Sequence, residues 1–187
     1  MTKAALRRLA LELRTEVGVG PHGVFDPYGL AEEYGLAVHR LSGLDCLEAA
    51  AHFGSVNPGV FSGALVPLGR GAVILDNDSH DPLRRRSTVA HEVAHWVLEH
   101  PFTAPLMTSG RGCRIGHPAH EKAAAELGGE LLVPADAAQR LAYRDASDAE
   151  VAEVLDVSVD MARWRMDGTG ARKIARRAAA KRATART

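Results

Sequence analysis

Five consecutive residues, His91 to His95, place two histidines and a glutamate inside a segment with strong helical periodicity. The pair Asp81 and Pro82 predicts where this helix begins, since an acceptor side chain followed by proline is typical of a helix N-terminus. Apolar residues then recur at helical spacing until Pro101. The two histidines are four positions apart, so both imidazoles must project from one face of the helix.

This spacing, HExxH on a helix, is typical of two imidazoles that hold a zinc ion. The sequence therefore predicts a Zn²⁺ site with His91 and His95 as ligands. Glu92 is one step round the helix, where its carboxylate can take a proton from an attacking water but cannot bind the ion. The competing interpretation is a solvated helix face that happens to carry two histidines.

A catalytic zinc site has three protein ligands and an open fourth position. The residues alone leave several candidates for the third ligand: His100, Cys113, His117, His120, Glu121 and Glu126. Glu121 lies near the start of the next predicted helix, so two antiparallel helices could close on the ion. That helix contains small residues that permit close helix packing: Ala123, Ala124, Ala125, Gly128 and Gly129.

The remaining periodicity predicts an α+β chain that is mostly helical and has a small mixed sheet. Strands are expected early, at 36–41 and in a hairpin of 60–67 with 71–75. Helices are expected at 2–16, from Asp26 to near Gly35, and at 119–132, 135–141, 147–155 and 158–166. Ser147 and Glu150 predict a capping box. Residues 42–53 fit no single period and are left unassigned.

Charge divides the chain unevenly. Residues 163–187 contain nine Lys or Arg and one acid, although the whole chain has a formal net charge of zero. We predict a metallopeptidase domain at 1–134, a helical subdomain at 135–170 and a disordered basic tail at 171–187. The helices of the subdomain have a helix-turn-helix outline, so weak DNA contact through the basic tail is a second interpretation beside plain packing.

Composition favours a cytoplasmic protein. No apolar run approaches the length of a membrane span, and the first residues lack the pattern of a secretory signal. Cys46 and Cys113 are too few and too far apart for a disulfide framework, so both are expected to be reduced thiols.

Two motifs resemble those of the ImmA/IrrE metallopeptidases. The first is residues 85–95, in which two arginines precede the HExxH motif. The second is a later helix that ends in Glu130-Leu131-Leu132-Val133-Pro134. The resemblance implies a small zincin-like fold, with Glu121 as the third zinc ligand. It also implies an endopeptidase whose protein substrate is a helix-turn-helix transcriptional repressor, so that cleavage relieves repression in a stress response or in mobile-element regulation. Ala123 and Ala125 depart from the acidic and amide residues common in the family.

Three expectations complete this interpretation. The hairpin strand 71–75 is expected at the sheet edge beside the active helix, where zincins commonly pair with extended substrate. The group that stabilises the oxyanion stays open among His100, His117, His120 and Tyr143. The alternative function is a non-catalytic DNA- or protein-binding regulator with a structural zinc, in which Glu92 would be dispensable.

Overall fold

The computed structural model describes residues 1–101 and 117–184. Within these ranges the chain is mostly helical and has one three-stranded mixed sheet, which confirms the α+β prediction. The elements in chain order are α1 Lys3–Glu16, α2 Pro27–Glu33, β1 Ala37–Arg40, α3 Leu47–Ala51, β2 Gly63–Leu68, β3 Gly71–Asp76, α4 Pro82–Val97, α5 Pro118–Leu132, α6 Ala135–Ala142, α7 Asp148–Leu155, α8 Val159–Thr169 and α9 Ala171–Thr184.

The sheet has the strand order β1-β3-β2. β3 pairs in parallel with β1 and antiparallel with β2, and Ile74 at its centre is fully buried. The predicted hairpin is confirmed, with Gly69 at φ +61° in its turn. The expectation that strand 71–75 lies at the edge is wrong. The chain crosses over from β1 to β2, and β3 then folds back into the position between them. The edge strand beside α4 is β2.

Helices α4 and α5 pack against each other at the centre of the molecule. Gly128 makes this contact close: a Cβ at this position would lie 3.1 Å from the carbonyl oxygen of Ala90 and 3.3 Å from the amide nitrogen of His91. Val93 of α4 and Leu127 of α5 are fully buried beside it. Of the small residues predicted to permit close packing, Gly128 does so at the motif itself, whereas Gly129 lies against Trp164 and Arg165 of α8.

The C-terminal helices share a hydrophobic cluster with the rest of the chain, including Leu127, Val151 and Met166. The predicted capping box at Ser147 and Glu150 is confirmed. The boundary at residue 134 stays a prediction.

Two segments differ from the sequence-based expectation. The unassigned stretch after β1 forms a 3₁₀ turn at Leu41–Gly43, helix α3 and a π-helical turn at His52–Val56. The expected disordered tail is instead helical through Thr184. Its Ala, Lys and Arg residues are strong helix formers, and its first residue, Ala171, is buried against the C-terminal helices.

We expect Gly128→Ala to destabilise the fold by about 1–3 kcal/mol, because the new methyl group would press on the α4 backbone, which cannot rotate away as a side chain can. Urea unfolding measures this change. The matched control is Gly168→Ala in α8, where a Cβ meets nothing within 4 Å. The control should be neutral or stabilising by up to about 1 kcal/mol. Equal stability of the two variants would contradict a close α4–α5 contact.

Candidate metal centre

The start of α4 is fixed by its cap and its arginines. The Asp81 carboxylate accepts a hydrogen bond from the Leu83 amide at 2.9 Å. Arg85 forms an ion pair of 2.6 Å with Asp76, a fully buried carboxylate at the end of β3. Arg86 donates to the carbonyl of Phe25 at 2.6 Å. The two arginines that precede the motif therefore fix α4 to the sheet and to the loop before α2. This fixes the direction in which the histidines of α4 point.

The structure brings His91, His95 and Glu121 together as one potential metal-binding group. The two imidazole Nε2 atoms are 3.0 Å apart. Carboxylate oxygens of Glu121 lie 3.3 Å from Nε2 of His91 and 3.6 Å from Nε2 of His95. All three side chains are partly exposed, so the group is open to solvent on one side. Glu121 reaches it from the first turn of α5.

Glu92 lies on the buried side of the same helix and is 7% exposed. Its Oε2 accepts a hydrogen bond of 3.0 Å from the backbone amide of Leu65 in β2. A nearly buried carboxylate held by a backbone donor has a restricted position. This contact could not be predicted from the sequence, because it joins a side chain to the backbone of a strand that is distant along the chain.

His100 contacts His95 from the side away from Glu121. The two Nδ1 atoms are 3.0 Å apart, so one ring donates to the other. The chain turns at Glu99, which adopts φ 51°, and this places His100 beside His95 without a glycine. Burial, followed by the nearby imidazoles of His95 and His120, lowers the pKa of His100 to about 4. A neutral His100 can accept a hydrogen bond from Nδ1–H of His95.

The other candidate ligands have separate partners. Glu126 pairs with Lys3 at 3.1 Å and with Arg165 at 3.2 Å. The Nδ1 of His117 caps α5 by accepting from the Ala119 amide at 3.3 Å. The ring of His120 stacks on His100 with centroids 4.4 Å apart.

Tyr143, a candidate for stabilising the oxyanion, and Cys113, a candidate metal ligand, stay open. The Tyr143 hydroxyl accepts a hydrogen bond of 3.3 Å from Gln139 on its own helix. Cys113 lies outside the described residues, whereas Cys46 is an exposed free thiol. The oxyanion-stabilising group therefore stays unassigned.

An open cavity of about 520 Å³ lies near the cluster but is not lined by its residues. Leu65 and His100, which contact Glu92 and His95 respectively, both line this cavity. The other lining residues are mainly apolar or aromatic: Tyr34, Trp96, Val97, Glu99 and Pro101. A concave apolar surface beside a polar cluster is the usual setting of a ligand site.

A small mixed sheet beside two helices that carry a His-His-Glu cluster is an arrangement compatible with a metallopeptidase-like protein. The family model of the IrrE N-terminal-like domain, Peptidase_M78, matches residues 30–167, and the chain belongs to this peptidase family. The resemblance to the ImmA/IrrE family is thereby confirmed. No curated protein matches the chain. Among the described residues, no helix is long and apolar enough to cross a membrane.

With Zn²⁺ as the probe ion, we expect His100→Leu to weaken metal binding about 10- to 100-fold, because the ring of His95 would lose the acceptor that orients it. The measurement is the dissociation constant of the metal-free protein by chelator competition. His100→Asn is the matched variant: its amide oxygen occupies nearly the place of the imidazole Nδ1, so binding should stay near the wild-type value. Zinc binding of His100→Leu at wild-type strength would show that His100 does not position His95.

Proposed function

We propose that the chain is a zinc-dependent endopeptidase that cleaves a protein, a helix-turn-helix transcriptional repressor. The observation that carries the proposal is the convergence of His91, His95 and Glu121 beside the nearly buried carboxylate of Glu92. Family membership supports a metallopeptidase-like role. The zinc ion, the endopeptidase activity and the repressor substrate are the proposed part.

The distances within the cluster suit zinc. Zinc bonds to nitrogen and oxygen are about 2.0–2.1 Å long, so neighbouring ligand atoms of a tetrahedral site lie about 3.3–3.4 Å apart. The corresponding separations here are 3.0, 3.3 and 3.6 Å. Two imidazoles and one carboxylate are also a donor set typical of catalytic zinc, and they leave a fourth position open.

In this proposal Glu92 acts as the general base. A bound zinc ion acidifies water and polarises a carbonyl. The Glu92 carboxylate takes the proton of the attacking water and afterwards delivers it to the departing amine. Glu92 is thereby returned to its ionised form. The hydrogen bond from the Leu65 amide holds the carboxylate in place while both transfers occur.

The repressor substrate rests on family resemblance, and the fold supplies a surface for it. β2 is an edge strand, and Leu65 at its middle already contacts Glu92. An extended segment added along this edge would lie across the cluster. Pairing through the backbone binds without reading sequence, so the selection of one repressor must come from side-chain contacts, for which the adjoining cavity is suited.

We expect Glu92→Gln to bind about one zinc per chain and to lose at least about 10²-fold in cleavage rate, since a carboxamide cannot accept the proton. The measurement combines metal analysis with cleavage of each helix-turn-helix repressor encoded beside the gene. The control is Glu153→Gln on the exposed face of α7, which should cleave as the wild type does.

The outcomes separate the parts of the proposal. Cleavage by both Glu92→Gln and the wild type would remove Glu92 from its role. Cleavage of an unstructured test protein but of no neighbouring repressor would overturn the substrate and keep the peptidase. Zinc bound by both proteins without cleavage of any substrate would favour the regulator with a structural zinc.

A further inference from the structure

Helix α9 concentrates the positive charge of the chain. It contains six basic residues and no acid: Arg172, Lys173, Arg176, Arg177, Lys181 and Arg182. The match to the peptidase family ends at residue 167, before α9 begins. Nothing in the proposed peptidase chemistry uses this helix.

One side of α9 is packed and the opposite side is exposed. Ala171 is 1% exposed, Ala175 packs against the core, and the helix contacts α6. Gly170, at φ +70°, turns the chain between α8 and α9. In the exposed part of the helix, Arg176 and Arg177 lie three and four positions after Lys173, and Lys181 lies four positions after Arg177. Residues at this spacing share a helix face. We call these four residues the basic face.

The basic face lacks acidic partners within the described part of the chain. Arg172, at the edge of the packed side, pairs with Asp148 at 2.5 Å. No carboxylate among residues 1–101 and 117–184 forms an ion pair with the four residues of the basic face. Four neighbouring cations repel one another, and a polyanion would relieve that repulsion.

The helix-turn-helix outline does not provide such a surface. Its second helix, α8, exposes Asp160 and Asp167, and its Arg163 is held by Asp148 and Asp160, each at 3.3 Å. A helix with this charge is poorly suited to enter a major groove. Any contact with nucleic acid is therefore favoured at α9 rather than at α8.

We propose that the basic face of α9 binds the phosphate backbone of DNA without reading bases. Lys173 and Lys181 are about 12 Å apart along the helix axis. Duplex DNA carries a negative charge about every 1.7 Å when both strands are counted, so an equal length of duplex holds about seven phosphates, more than the four cations need. An anionic membrane suits α9 less well, because a membrane-bound helix needs a broad apolar face, and the exposed part of α9 offers only alanines and Ile174. If the proposed repressor substrate is correct, α9 also holds the enzyme on the DNA that the repressor occupies.

The test is fluorescence polarisation of the full chain with a labelled mixed-sequence duplex of about 20 base pairs at several salt concentrations. Four phosphate contacts predict a slope of log K against log salt of about −3.6, which is a loss of about a hundredfold between 50 and 200 mM salt. The variant Lys173→Gln, Arg176→Gln, Arg177→Gln, Lys181→Gln should lose this binding and its salt slope. Circular dichroism verifies that the variant remains helical.

A second quadruple variant controls for net charge. It changes four exposed arginines on other elements to glutamine: Arg8, Arg70, Arg140 and Arg144. We expect this variant, and Glu92→Gln, to bind DNA within about twofold of the wild type. The α9 variant should still cleave a DNA-free substrate as the wild type does, so that failure of the DNA proposal and failure of the peptidase proposal are separate results.

Three outcomes would overturn the proposal. The first is no binding by the wild type at 50 mM salt. The second is an equal loss in both quadruple variants, which would reduce the effect to net charge. The third is tighter binding to phosphatidylserine vesicles than to DNA at the same salt concentration, which would assign the basic face to membranes.

Discussion

The contact between α4 and α5 at Gly128 determines whether the candidate centre exists. His91 and His95 belong to α4, Glu121 belongs to α5, and their ligand atoms must lie within a few ångströms of one another. Gly128 lies against the Ala90 carbonyl, one position before His91, and a Cβ at residue 128 would be 3.1 Å from that oxygen, closer than ordinary van der Waals contact. A larger residue would separate the helices and move Glu121 away. The close approach at Gly128 therefore supports the candidate metal centre as well as the core.

Buried charges hold these two helices in place from opposite sides. Arg165 is 1% exposed and bonds Glu126, Glu130 and the Val133 carbonyl, so α8 fixes the second half of α5. Asp76 is paired with Arg85, which fixes the start of α4 on the sheet. Removing one partner from such a pair leaves an uncompensated buried charge and typically costs about 3–5 kcal/mol. The same pairing explains why Glu126, a residue with suitable chemistry, does not join the metal ligands.

The sequence predicted the elements that carry local signals. The caps at Asp81 and Ser147, the period of α4 and the hairpin turn each depend on neighbouring residues, and the structure confirms them. The strand order could not be predicted, because the crossover that places β3 between β1 and β2 has no local signature. The sequence offers His100 as a ligand and as an oxyanion-stabilising group. Its contact with His95 could not be predicted, because it depends on a left-handed conformation of Glu99, where a glycine would be usual. Six residues have suitable chemistry for the third ligand; the predicted helix pair makes Glu121 possible, and the family resemblance selects it.

The edge of β2 would couple the proposed substrate pairing to the proposed base, Glu92. The Leu65 amide points away from β3 and donates to Glu92, so Leu65 occupies a position whose backbone groups face outward. Because such positions alternate along an antiparallel strand, Pro67 also faces outward, and it has no N–H to donate. This edge is thus poor in free donors, which limits unwanted strand pairing. Its outward carbonyls remain, so an extended segment aligned here would donate its amides to β2 while Glu92 kept the Leu65 donor that positions it.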